Sequence, residues 1–163
     1  MIIYVKNKDT LVVDDFNLKC CIGKKGFNSK KIEGDYTTPK GLYSIEKLYF
    51  REDRVGKINC RIKKKIITKN LGWCDDPNHE RYNREILVSK KVSNKESFYR
   101  KDHKYDYLIT INHNSKRIPH KGSAIFIHLT NNYKPTAGCI ALKKKDFEII
   151  LKLIDKKTKI KIG

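Results

Sequence analysis

The sequence predicts a mainly β fold, a sandwich or a barrel, organised as one domain over residues 1–163. Three observations lead there. Apolar residues alternate with period two in several separate stretches. Only one stretch carries clear helical spacing. No repeat, low-complexity linker or break in composition divides the chain, and its length suffices to bury roughly two-thirds of the extended surface in one core.

The first strand pair is "MIIYV" and "TLVVD", flanking Asn7-Lys8-Asp9, which reads as a hairpin turn. "GLYSIEKLYF" alternates and follows Thr38-Pro39-Lys40-Gly41, a turn with Pro and Gly at suitable places. From about Leu71 to Arg100 the chain reads as a polar, irregular segment, with a short helix expected near Glu96–Arg100. A loop of that length in a compact domain is functional or an insertion. "YDYLITINH" and "SAIFIHL" are β-branched and aromatic with period two. In "KKKDFEIILKLI", Phe147, Ile150, Leu151 and Ile154 fall at i, i+3, i+4 and i+7, one apolar stripe of an amphipathic helix. The closing "KIKI" sets Ile160 and Ile162 on one face of a last strand.

Composition narrows the function. Apolar residues make up 39%, charged residues 34%, and the mean hydropathy is −0.65, as expected of a soluble globular protein. No apolar run approaches the roughly 18 residues of a membrane span, and "MIIYVKNKDT" lacks the order of a secretory signal. The formal charge of +19 favours polyanions: nucleic acid, anionic lipid or acidic wall polymer. Lysine outnumbers arginine 30 to 7, and the basic runs are scattered, so nucleic acid is not the expected partner. Cysteines at 20, 21, 60, 74 and 139 form no C-x-x-C pair and no zinc-ribbon spacing. Their odd number leaves at least one thiol outside any internal bridge. Cys20, Cys21 and Cys60 read as buried packing residues.

The chemistry concentrates in "AIFIHLTNNYKPTAGCIAL", residues 124–142. On a strand, Ala124, Phe126 and His128 share one face and Ile125, Ile127 and Leu129 the other. The loop that follows is long enough to turn the chain back antiparallel and return Cys139 beside the strand end. A thiol next to imidazole becomes a nucleophilic thiolate. Gly138 bares the backbone beside the sulfur, so that successive amides can receive an oxyanion.

This stretch resembles the L,D-transpeptidase catalytic domain family (YkuD, or ErfK/YbiS/YcfS/YnhG), in which a strand ends in His, a loop follows, and Ser/Thr-His-Gly-Cys precedes an apolar residue. The counterparts are His128 and Thr136-Ala137-Gly138-Cys139-Ile140. "GDYTTPKGLYSI" resembles the family's Thr-Pro-x-Gly-x-Phe/Tyr-x-Ile element, and the likeness runs from about Gly23 to Ile154. Ala137 stands where the family has His, and Ala141 where it often has Arg. "WCDDP…YN", "DHKYDY" and "INHN" resemble a short proteobacterial branch with Pro-Thr-x-Gly-Cys. Some of its members join L-alanine at the first position of one stem to diaminopimelate at the third of another.

The resemblance implies a β-sandwich or barrel with Cys139 as nucleophile, His128 as base and Gly138 at the oxyanion site. It also implies peptidoglycan stem peptides as donor and acceptor, no cofactor or metal, action in the periplasm or cell wall, and a monomer. Trp73, Asp75, Asp76, Tyr82 and Asn83 are candidates for binding substrate, the acids for the ammonium of diaminopimelate and the aromatics for a groove wall. Asp76-Pro77 also reads as an ordinary turn and Trp73 as an ordinary anchor. His103, Asn112 and His113 are candidates for orienting His128 or binding substrate, with Ser123 and Thr136 beside them. Two other readings stand: an L,D-carboxypeptidase or endopeptidase of the same fold, and a non-catalytic basic module binding wall polymer or nucleic acid.

Overall fold

The computed structural model describes residues 1–88 and 95–163. Ile2–Val5 (β1) and Thr10–Val13 (β2) form the expected hairpin, in which the Asn7 side chain accepts the amides of Asp9 and Thr10. Phe16–Cys21 (β3) returns against β2, and Phe27–Asn28 (β4) bridges Thr38–Pro39 (β5). Gly41–Phe50 (β6) spans all ten residues of the expected alternation. It leads through Glu52–Val55 (α1) to Lys63–Ile66 (β7). Leu71–Cys74 (β8), Arg84–Leu87 (β9) and Lys95–Ser97 (β10) come next, then Tyr107–Ile111 (β11), Phe126–Leu129 (β12) and Ile140–Leu142 (β13). Lys144–Leu153 (α2) and Lys159–Ile162 (β14) end the chain.

The main sheet closes on itself. Its order is β11-β12-β13-β3-β2-β1-β14-β6, and β6 pairs back to β11. Of the sandwich and the barrel, the chain forms the barrel, which leaves few open edges. The alternation explains the closure: Ile3, Val5, Leu11, Val13, Ile160 and Ile162 point inward and are essentially inaccessible. Phe147, Ile150 and Leu151 of α2, and Ile154 just past its end, are buried against this interior as the stripe predicts, with Phe147 stacked on Tyr107. Each such side chain contributes roughly 1.5–3 kcal/mol through burial.

A second apolar cluster lies on the outer face of β6, β11 and β12, where Tyr49, Leu108 and Phe126 meet Leu71, Phe98 and Tyr105. The cover is a three-stranded antiparallel sheet, β10-β8-β9. This corrects the expectation of an irregular segment over Leu71–Arg100, of which residues 89–94 lie outside the described residues. Nor is there a helix at Glu96–Arg100. Glu96 pairs with Trp73 on β8, and the short helix is α1 instead. Strands of three or four residues, dotted with charge, leave too few periods for alternation to be read. Their stability comes from aromatic packing: Trp73 stacks on Phe98 and meets Phe126 edge-on at 5.5 Å.

Candidate active site

The strands β12 and β13 position the site. They are parallel neighbours with Ile127 opposite Ile140 and His128 opposite Ala141. The expected antiparallel return is therefore corrected. Residues 130–139 run back past the short strand β12 before β13 enters beside it in the same direction. Residues paired across a parallel ladder share a face. Cys139, one residue before β13, thus lies across from Phe126, on the outward face that also carries His128. The Phe126 amide donates to Cys139 Sγ at 3.4 Å. Inward, Ile127 and Leu129 join the barrel core.

The turn before the nucleophile is held from two sides. Thr136 Oγ1 accepts the Gly138 amide at 3.1 Å and donates to the Cys139 carbonyl at 2.6 Å. Thr38 Oγ1, wholly buried, accepts the Gly23 amide at 2.9 Å and donates to the Gly138 carbonyl at 2.8 Å. Gly138 has φ +148°, and a Cβ there would sit 2.8 Å from the Thr37 carbonyl oxygen. Only glycine fits. Thr38→Val is expected to strand a buried amide and a buried carbonyl, lowering stability by about 1–3 kcal/mol in urea unfolding. It should also slow acylation of Cys139, because the turn carrying the sulfur loosens.

His128 is buried, and its Nδ1 lies 2.8 Å from the Leu129 carbonyl oxygen. That contact assigns the proton to Nδ1 and leaves Nε2 as the free base. Tyr105 meets the imidazole edge-on at 5.3 Å and donates its hydroxyl to Glu96 at 2.9 Å. The thiol donates to the Ala124 carbonyl at 3.2 Å. Ala124 has φ +52°, a conformation that costs an L-residue about 1–2 kcal/mol, and its own amide is held by Asn83 Oδ1. Among the described residues no hydrogen bond joins thiol to imidazole.

The sequence-based thiolate is also corrected. Burial pushes the Cys139 thiol up to about 12, against the Phe126 amide and the Lys31 charge, which pull it down, while Glu96 adds to the rise. Burial likewise takes His128 down to about 4, although the Leu129 contact opposes it. Burial thus favours the uncharged form of both groups, and among the described residues no ion pair joins either of them.

Cys139 and His128 open on a cleft of about 440 Å³. Among the candidates from sequence, Gly138, Thr136, Asp75 and Ser123 line it as well. Among the described residues, Asp75 Oδ1 and Ser123 Oγ are buried there with no hydrogen-bond partner. Burial raises the Asp75 carboxyl, and Glu96, Glu33 and Asp76 add to the effect. Asp76 itself caps a turn, accepting the Asn78 amide at 3.0 Å, and does not line the cleft.

Trp73, Asn83 and His113 border a different cavity of about 680 Å³. Asn83 is a clamp: it accepts from Trp73 Nε1 at 2.9 Å and donates to the carbonyls of His113 and Asn114. Tyr82 is buried and donates to Glu33, which does line the cleft. His103 meets the Thr130 carbonyl and His113 the Lys121 carbonyl, while Asn112 accepts the Ser44 amide. These contacts staple loops rather than orient His128. Cys74 is buried, Cys60 is only partly so, and no disulfide links the five thiols.

Sequence reasoning missed Lys31, Glu33, Glu96, Arg100 and Tyr105, all on the cleft wall. Lys31 and Glu33 come from the loop before β5, Glu96 from β10, and Arg100 and Tyr105 from the segment between β10 and β11, where Tyr105 sits inside the quoted "DHKYDY". Among the described residues, no three His, Cys, Asp or Glu side chains gather as a metal site.

One family model, that of the L,D-transpeptidase catalytic domain (YkuD), matches residues 1–162. No curated protein and no solved structure matches the chain.

Proposed function

Since the chain belongs to the L,D-transpeptidase catalytic domain family, we propose that it cross-links peptidoglycan stem peptides through a thioester on Cys139. The family acts on these stem peptides and is associated with the periplasm and cell wall. The observation that carries the reading is the shared outward face of His128 and Cys139 over one cleft, with Nε2 free to accept a proton.

The neutral resting pair makes proton transfer part of the attack. His128 Nε2 takes the thiol proton as Sγ adds to a peptide carbonyl on an L-configured residue. The tetrahedral anion collapses to a thioester, and the imidazolium returns its proton to the departing amine. An amine of the acceptor stem then attacks the thioester. His128 removes the proton lost by that amine and delivers it to the leaving sulfur, which restores the thiol. The acceptor amine is that of diaminopimelate, and the donor carbonyl is that of L-alanine at the first stem position, giving 1–3 rather than 3–3 links. The whole chain acts as one catalytic domain, as a monomer. Its +19 charge holds it against acidic wall material at physiological salt, over a range of about 8 Å.

Mass spectrometry of products from purified muropeptides tests the reading. Cross-linked dimers are expected, and fragmentation locates the bond. Trimmed monomers alone would replace the transpeptidase with a carboxypeptidase or endopeptidase.

Asp75 on the cleft wall suits a cation: among the described residues one of its carboxylate oxygens is buried with no hydrogen-bond partner, and other acids lie near it. It receives the acceptor ammonium, in a charge-assisted hydrogen bond worth about 1.5–3 kcal/mol. Asp75→Asn should therefore raise the acceptor KM roughly ten- to hundredfold by the same arithmetic. Alkylation of Cys139 by a neutral reagent should stay unchanged. Normal cross-linking by Asp75→Asn would place the ammonium elsewhere.

A further inference from the structure

Lys31 is a buried cation beside the nucleophile. Its side chain is only 4% exposed, and its Nζ pairs with the Asp35 carboxylate and donates to the Ile32 carbonyl at 3.1 Å. Asp35 also accepts the Thr37 amide and hydroxyl at 2.9 and 2.7 Å. Burial works to raise this carboxyl, yet the Lys31 contact and these hydrogen bonds hold it well below the usual range. Lysine therefore stays where desolvation alone would disfavour its charge.

Gly122 makes room for the side chain, and Gly138 lies beside its ammonium. A Cβ on Gly122 would lie 2.7 Å from Lys31 Cγ, and a Cβ on Gly138 would lie 3.7 Å from Nζ. The ammonium thus sits against the residue preceding Cys139, on the wall of the same cleft. An ammonium carries three N–H groups, and the contacts to Asp35 and Ile32 engage two.

One backbone donor beside the nucleophile is already engaged. The Gly138 amide is taken by Thr136 Oγ1 at 3.1 Å, so the turn presents fewer free N–H groups to a developing oxyanion than the bare glycine suggested. Glu96, also on the cleft wall, works against an anion at the sulfur. Both features call for a compensating positive charge, and Lys31 is the cation placed against Gly138.

We propose that Lys31 is an electrostatic element of the acyl-transfer site, its ammonium stabilising the anion that forms first on the Cys139 sulfur and then on the attacked carbonyl oxygen. The inference rests on Cys139 being the nucleophile. The groups that face this anion are Lys31 with its partner Asp35 on one side, Glu96 with Arg100 and Tyr105 on the other, and His128 along the strand. Because Lys31 acts by charge, arginine should serve and a neutral isostere should not.

The test is the rate of Cys139 alkylation by iodoacetamide at fixed pH values at which the protein stays folded, read by mass mapping of the Cys139 peptide, with cross-linking kinetics beside it. The double variant Lys31→Met/Asp35→Asn removes the ion pair without leaving either charge buried alone. Its alkylation rate and its kcat should both fall about tenfold, with the donor KM unchanged. Lys31→Arg should stay within about threefold of wild type by the same principle. Asp35→Asn alone leaves the ammonium less neutralised and should speed alkylation, which keeps the test open if the double variant does not fold. Wild-type rates in a folded double variant, or an unmoved alkylation rate in Asp35→Asn, would overturn the proposal. If the alkylation rates shift as expected while cross-linking is unaffected, Lys31 tunes the thiol but Cys139 is not the nucleophile, and the functional reading fails instead.

Discussion

Cys139→Ala is expected to abolish cross-linking and acyl-enzyme formation while the protein melts within a few degrees of wild type. The reaction has no covalent route without the sulfur, and none of Cys20, Cys21, Cys60 or Cys74 lines the cleft. The structural cost is small because the side chain opens on the cleft and, among the described residues, it gives up two hydrogen bonds, to Ala124 and Phe126. Each is worth about 0.5–1.5 kcal/mol, and water can reach the vacated space. Turnover with Cys139 absent would transfer the nucleophile to another group. Circular dichroism and a melting curve on the same sample separate loss of chemistry from loss of fold.

The second large effect is at the base. His128→Gln should lower the acylation rate by about 10²–10⁴, the ordinary contribution of a positioned general base. The deficit should be this large because burial keeps the thiol protonated, so little thiolate exists for an unassisted attack. The pH profile has a definite sign. The base must be neutral, and burial lowers His128 to about 4. The acid limb of acylation should therefore fall near pH 4 instead of near the ordinary 6.5. Stability follows the same linkage. Between about 6.5 and 4 the unfolded chain binds a proton that the native imidazole refuses, so stability is lost as pH falls through that window. His128→Gln should flatten that part of the stability curve. Near-normal acylation by the variant would require a different base.

Much of the barrel was legible because its strands alternate over enough residues to fix a face. Gly41–Phe50 and the Ile160, Ile162 pair read out directly, as did the α2 stripe. The β8–β10 sheet was not legible. Its strands are three or four residues long, and what stabilises them is Trp73 and Phe98 packing on Phe126, a contact between distant segments. The sequence reading brought Cys139 near His128 but had the strand direction wrong; the face they share follows from the parallel register, which sequence alone does not give. The error mattered for electrostatics: in the parallel arrangement the thiol bonds to Ala124 and Phe126, and no imidazole contact offsets its burial.

The acids divided in a way that adjacent letters cannot show. Asp75 turns toward the cleft while Asp76 caps the following turn. Lys31, in a chain with 30 lysines, had no sequence feature to mark it. Its burial depends on Asp35 four residues on and on Gly122 about ninety positions away.

The central claim is that Cys139 carries the acyl group during transfer. The most direct measurement is an acid quench of the protein during turnover of purified stem peptides, followed by intact mass and peptide mapping. A mass increase equal to the donor acyl fragment is predicted on the peptide containing Cys139, accumulating when the acceptor is withheld and absent from Cys139→Ala. An unmodified Cys139 peptide during active cross-linking, or an acyl group on any other residue, would contradict the account.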